Sequence, residues 1–182
     1  MNSRGSRGHE AQTKNRQSLL TPAATTQRMN ILIANRQRAK KIHSRLLKQI
    51  VGALLAELKI SQAELGIALV GAAEMARVNW QFLRHDGSTD VITFDHRDHS
   101  APLHGELFVC VDDAVRQAKQ FKTTWQSEVV RYIVHGVLHL LGHDDLQPAA
   151  RREMKREENR LVRRLASRFS LAQLSRPAKI SA

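Results

Sequence analysis

Three side chains able to bind a metal ion fall within one short stretch of this chain. They are His135, His139 and Asp145, in the run H-G-V-L-H-L-L-G-H-D-D from His135 to Asp145. The spacing is H-x-x-x-H-x-x-G-x-x-D. Residues four apart on an α-helix lie one above the other on a single face, so two imidazoles can close on one ion. Gly142 is the residue type that ends helices in the left-handed conformation, and it would turn the chain back to deliver a third ligand. Three protein ligands with a fourth position open describe a catalytic zinc site, whereas a structural site is closed by four ligands. Such an ion brings the pKa of water to ~7 and supports hydrolysis at neutral pH.

Two residues compete for the third ligand position. His143 is a softer donor, but it follows Gly142 directly, where the chain is still turning. Asp145 keeps the three-residue step after glycine found in other zinc hydrolase motifs. Asp144 reads as a turn former or an acceptor behind the ligands. The residue after the first histidine is equally informative. Zinc peptidases of the H-E-x-x-H type put their general base there, and this chain has Gly136. A phosphodiester reaction depends less on that base, because positioning and charge neutralisation supply much of the work.

Charge points the same way. The 182 residues carry a net +12. Residues 1–50 hold eleven Lys and Arg against one acid, residues 51–150 hold eight against thirteen, and residues 151–182 hold ten against three. The ends are basic and the middle is mildly acidic, which fits a polyanionic partner such as nucleic acid. A hydrophobic content of 42% suits one domain with a packed core. The single cysteine, Cys110, sits in the apolar run L-F-V-C-V and reads as a buried small residue. No apolar run approaches the ~20 residues of a membrane span. The N-terminus lacks the apolar centre of a secretory signal, and the expected setting is cytoplasmic.

The elements that must hold these residues follow from periodicity. Residues 1–28 form an expected disordered basic extension, residues 29–168 the domain, and residues 169–182 a frayed basic tail. Strands are expected at 31–34, 66–71, 89–95 and 105–111. Helices are expected at 39–58, at 72–83, from an Asp112 or Asp113 cap to 121, from a Ser127 cap through the motif, and at 148–168. The motif helix is apolar on most sides and should be central and buried. Irregular alternation of helices and short strands implies an α+β domain with a small mixed sheet. Trp80, Phe82, Phe94 and Trp125 are needed mainly for the core, and His96, His99 and His104 read as a solvated loop cluster. Thr89 and Asp90 read as a strand cap.

Three blocks occur in order: N-W-Q-F-L-R-H-D-G-S-T-D-V-I-T-F (Asn79–Phe94), G-E-L (Gly105–Leu107) and the His135–Asp145 motif. Together they resemble the YbeY family of bacterial metal-dependent endoribonucleases, over about residues 29–168. The resemblance implies a zincin-like fold, one Zn2+ ion, and cleavage of single-stranded RNA. It implies a role in maturing the 3′ end of 16S ribosomal RNA and in ribosome quality control, with ribosomal RNA and the ribosome as partners. The first two histidine ligands of the family fall on His135 and His139. The family usually has a third histidine where this chain has Asp145. It also carries an arginine where this chain has Leu83, so that Arg84, the candidate phosphate clamp, stands one residue late. Two other readings share these features. One is a ribosome-assembly RNA-binding protein with structural zinc, and the other is a zinc peptidase whose base comes from elsewhere, Glu106 first.

Overall fold

A computed structural model describes residues 28–97 and 103–175. In chain order it contains β1 (Arg28–Asn35), α1 (Ser44–Glu57), β2 (Gln62–Val70), α2 (Ala72–Leu83), β3 (Val91–Asp95), β4 (Leu103–Cys110), α3 (Val111–Phe121), α4 (Trp125–Leu140), α5 (Pro148–Arg168) and a 3-10 turn (Leu171–Ser175). Residues 1–27 of the expected extension, His99, and residues 176–182 lie outside the described residues.

The strands form one sheet in the order β1-β2-β4-β3. β1, β2 and β4 run parallel, and β3 is the antiparallel edge strand. This is the α+β architecture with a mixed sheet that the sequence implies. Strand alternation sends side chains to opposite faces. Ile31, Leu65, Ile67, Leu69, Leu107 and Val109 build the main core with α1 and α4. Ala68, Val70, Ile92 and Cys110 face the other way and pack on Met75 of α2 in a smaller core. Burial at that second core pushes the Cys110 thiol up to about 11.

α4 is the central helix, with Val129, Val130, Ile133, Val134, Val137, Leu138 and Leu140 all buried. It lies unusually close to the sheet, and two glycines make this possible. A Cβ on Gly136 would stand 2.8 Å from Leu107 Cδ2, and one on Gly105 would stand 2.9 Å from Leu140 Cδ2. α4 thus packs on β4 at two points one helix turn apart, the Gly136 backbone against the Leu107 side chain and the Leu140 side chain against Gly105, which fixes where His135 and His139 project.

Several element ends differ from the sequence expectation, each for a tertiary reason. α1 begins at Ser44, not residue 39, because the buried Gln37 side chain bonds the Lys40 N–H and carbonyl and closes a turn there. Asp112 does not cap its own helix; its carboxylate accepts from the Ala72 N–H at 2.7 Å and caps α2, whose N-cap residue Gly71 has no side chain to offer. α4 is capped by Thr124, whose hydroxyl accepts from the Ser127 N–H at 3.2 Å. β2 extends back to Gln62 because it pairs along β1. The expected frayed tail at 169–182 is corrected in its first part: Leu174 is fully buried and Leu171 nearly so.

Candidate metal centre

His135 and His139 stand one turn apart on α4 with their rings edge-on, 4.6 Å between centroids. The helix stops at Leu140, and Gly142 has φ 90°. The Gly142 N–H bonds the His139 carbonyl at 2.9 Å, and the His143 N–H bonds the Leu138 carbonyl at 3.0 Å. These two bonds form a Schellman closure, which only a residue tolerant of positive φ completes without strain. The Asp144 carboxylate then accepts from the Leu146 N–H at 2.9 Å, a side-chain turn that swings Asp145 back over the helix end.

The outcome is a three-residue cluster. His135, His139 and Asp145 each present a ligand atom, all within 4.8 Å of one another. The two Nε2 atoms are 3.1 Å apart. His135 Nε2 is 3.8 Å from Asp145 Oδ2, and His139 Nε2 is 3.9 Å from Asp145 Oδ1. Among the described residues no other group of three His, Cys, Asp or Glu side chains meets that proximity. The His143 imidazole is not part of it; His143 contributes its carbonyl instead.

The hydrogen bonds decide what this cluster can hold. The His139 Nδ1 lies 3.0 Å from the His143 carbonyl, and a carbonyl only accepts, so Nδ1 carries the proton. The His135 Nδ1 lies 3.1 Å from Glu158 Oε2. Burial alone would raise the Glu158 carboxyl, but hydrogen bonds from His135, Lys155 and Arg131 hold it down at about 2. It is therefore an acceptor, and His135 also carries its proton on Nδ1. With each Nδ1 set against an acceptor, Nε2 is the atom that each ring presents to the other and to a carboxylate. Three electron-rich atoms in that arrangement repel unless a cation lies between them. A metal with ~2.0–2.1 Å bonds to nitrogen places tetrahedral ligand atoms ~3.3 Å apart, near the 3.1 Å between the two Nε2 atoms, while the Asp145 oxygens stand wider at 3.8 and 3.9 Å. The donor set fits a divalent metal ion.

Behind the ligands is a support that the sequence reading missed. Glu158 on α5 is 3% exposed. Its carboxylate accepts hydrogen bonds from His135 Nδ1, the Arg131 guanidinium and Lys155 Nζ, the last at 2.9 Å, and Arg131 also donates to Asn159 at 2.8 Å. A carboxylate behind a histidine fixes ring orientation and raises ligand basicity. The signal was present in α5. Met154, Leu161 and Leu165 form its apolar stripe, and Glu158 occupies the missing place in that stripe, where an unpaired acid would be costly.

Other sequence candidates lie elsewhere. Arg84 ends α2 in the left-handed conformation and lies over the Trp80 ring at 5.9 Å. Among the described residues it makes no hydrogen bond or ion pair with the cluster. Glu106 alternates to the sheet face opposite α4, with Gly66, and lies 3.9 Å from His96. It is thus remote from the metal ligands. Phe94 is edge-on to Phe82 and Phe108 in the smaller core, although Trp80 and Phe82 remain half exposed. Thr89 bonds Asp90, whose carboxylate accepts from the Val91 N–H and caps β3.

Gly136 occupies the position of a peptidase base, and Thr93 and Val91 also crowd its missing side chain at 3.2 Å. Gly136→Ala should therefore destabilise the fold by about 1 kcal/mol. Overpacking costs of ~1–3 kcal/mol exceed the ~1 kcal/mol of helix propensity gained. A denaturant midpoint that rises instead would contradict the close packing of α4 on β4.

The chain is similar to known proteins over most of its length. A model of the family described as "Endoribonuclease YbeY" matches residues 30–166. The chain is 36% identical over 124 residues to an "Endoribonuclease YbeY" of Chlorobium phaeovibrioides, covering 68% of this chain and 83% of that one. It is 34% identical over 137 residues to one from Anaeromyxobacter sp., covering 74% and 71%. A solution structure of a Thermotoga maritima protein superimposes with TM-score 0.60 at 24% identity, covering 84% of this chain and 99% of that one, and it shows the same fold.

Proposed function

The chain belongs to the YbeY family of endoribonucleases, and from that premise we propose that it cuts single-stranded RNA at one zinc ion held by His135, His139 and Asp145. The observation that carries the metal reading is the pair of facing Nε2 atoms, 3.1 Å apart beside the Asp145 carboxylate, with each Nδ1 set against an acceptor. Zinc, when bound, supplies Lewis-acid polarisation of a phosphate oxygen and a lowered pKa for water.

The chain's own residues do the rest. Glu158 holds His135 in the tautomer that leaves Nε2 free. The Gly142 turn holds Asp145 over the helix end. Arg151 and Lys155 line the cleft that contains His135 and Asp145. Arg151 Nε donates to the Asp145 carbonyl at 2.9 Å, which anchors the guanidinium and leaves its outer N–H groups to face a phosphate. These cations offset charge that builds on a phosphodiester during cleavage. Arg84, stacked on Trp80, serves as an outer contact for the strand rather than as a group at the reacting phosphate.

Ribosomal RNA is the substrate that family membership favours, with the ribosome as partner and the cytoplasm as setting. Among the described residues no helix is long and apolar enough to cross a membrane. The peptidase reading loses its base, since Gly136 has no proton to move and Glu106 faces away. The structural-zinc reading requires a fourth protein ligand, and among the described residues the cluster offers three.

The experiment is a chelator series on purified protein. Cleavage of a labelled single-stranded RNA should stop when the metal is removed and return when Zn2+ is added back. Cleavage that continues unchanged in metal-free protein would refute the proposal.

A further inference from the structure

We propose that the outer face of α5 is a rail for the phosphate backbone of the RNA, leading away from the metal cleft; this rests on the endoribonuclease reading above. α5 carries eight Lys and Arg against three Glu. Half of these bases are engaged. Arg151 holds the Asp145 carbonyl, Lys155 holds Glu158, Arg160 holds Glu157 and Glu57, and Arg164 also reaches Glu57.

Arg152, Arg156 and Arg163 are different. All three are exposed, and none has a carboxylate within ion-pair distance among the described residues. On a helix they fall within about 40° of one another and span about 16 Å. That length matches several nucleotides of a stacked single strand, which rises ~3.4 Å per nucleotide along its axis.

The pattern costs the protein something when it stands alone. Arg152 and Arg156 are four residues apart, as are Arg156 and Arg160, and like charges at that spacing destabilise a helix. A polyanion lying along the face removes the repulsion. The rail also has a starting point. Lys155 lies about 60° around the helix from Arg152, and with Arg151 it lines the cleft beside His135 and Asp145. One helix therefore carries the carboxylate behind His135, two cations at the reacting phosphate, and three free arginines beyond it.

The test compares R152Q/R156Q/R163Q with wild type, both metal-loaded, cutting a fluorescein-labelled oligouridylate across a range of salt. Each single-strand phosphate contact contributes ~0.7 to the slope of log affinity against log salt. Loss of three contacts should lower the slope of log KM by about 2 and raise KM about 100-fold at 0.1 M salt. kcat at saturating RNA, bound metal and Tm should hold. A charge-matched control replaces the exposed Lys41, Arg45 and Lys48 with glutamine.

The rail is refuted if the α5 variant keeps the wild-type KM and slope, or if the control shifts KM equally. If wild type cuts no RNA, the endoribonuclease reading fails. Fluorescence anisotropy of the same uncut oligonucleotide then tests the rail alone, and equal affinity of wild type and α5 variant refutes it.

Discussion

His139→Ala protein should fold, bind no zinc at micromolar concentration, and cut RNA slower by a factor on the order of 10^3, about 4 kcal/mol of transition-state stabilisation. The removed ring supplies one of three ligand atoms, and the remaining pair, His135 Nε2 and Asp145 Oδ2, stand 3.8 Å apart with nothing to close the site. The fold should survive, because the His139 side chain is 28% exposed and its one structural bond is the Nδ1 donation to the His143 carbonyl. Losing that bond costs ~1 kcal/mol. Metal analysis after dialysis, beside a cleavage assay, gives both numbers. His135→Ala should behave alike but should also leave Glu158 with one fewer donor. Retained zinc and full activity in either variant would remove the site from the mechanism.

Glu158→Leu should produce the second large effect, in a residue that touches no substrate. Arg131 is 23% exposed, and its guanidinium is bound to the Glu158 carboxylate. Without Glu158, Arg131 keeps only the longer contact to the Glu128 carboxylate at 3.7 Å and the Asn159 bond, and the weakened pairing of a part-buried charge costs ~1–3 kcal/mol in stability. The same change frees the His135 ring. Its Nδ1 proton no longer has an acceptor, the tautomer that exposes Nε2 is no longer enforced, and metal affinity should fall 10–100-fold. Glu158→Gln separates the two roles. The amide oxygen can still accept from His135 Nδ1, so affinity should recover most of the loss while the charge pairing with Arg131 stays broken. Chelator competition gives the affinity, and 15N shifts of the His135 ring report the tautomer. Equal affinity in all three proteins would reduce Glu158 to packing.

The cluster of His135, His139 and Asp145 was legible in the sequence because its geometry is local. Two histidines four apart and a glycine that can turn the chain need no tertiary information. The same holds for α2 and α5, whose ends are marked by Gly71 and by Pro148 at the first turn. What sequence periodicity missed depends on contacts between distant segments. Asp112 sits at the start of its own helix, yet it caps α2 forty residues away. Gln37 ends an apparent helical run by folding onto its own backbone. Glu158 reads as one more charge on a charged helix until α5 is laid against α4. Its place in the Met154–Leu161–Leu165 stripe was the single local hint. Arg84 shows the opposite failure: it stands one residue late, and one residue turns a helical side chain by ~100°.

Asp145 is the position on which the account depends most, since relatives are expected to carry histidine there and His143 stands two residues before it. Diffraction from zinc-loaded crystals, measured at the zinc edge, identifies the bound atoms directly. The expected ligands are Nε2 of His135, Nε2 of His139 and one carboxylate oxygen of Asp145, with the fourth position open to solvent. A zinc ion bound through the His143 ring in place of Asp145, or closed by a fourth protein ligand, would contradict that set.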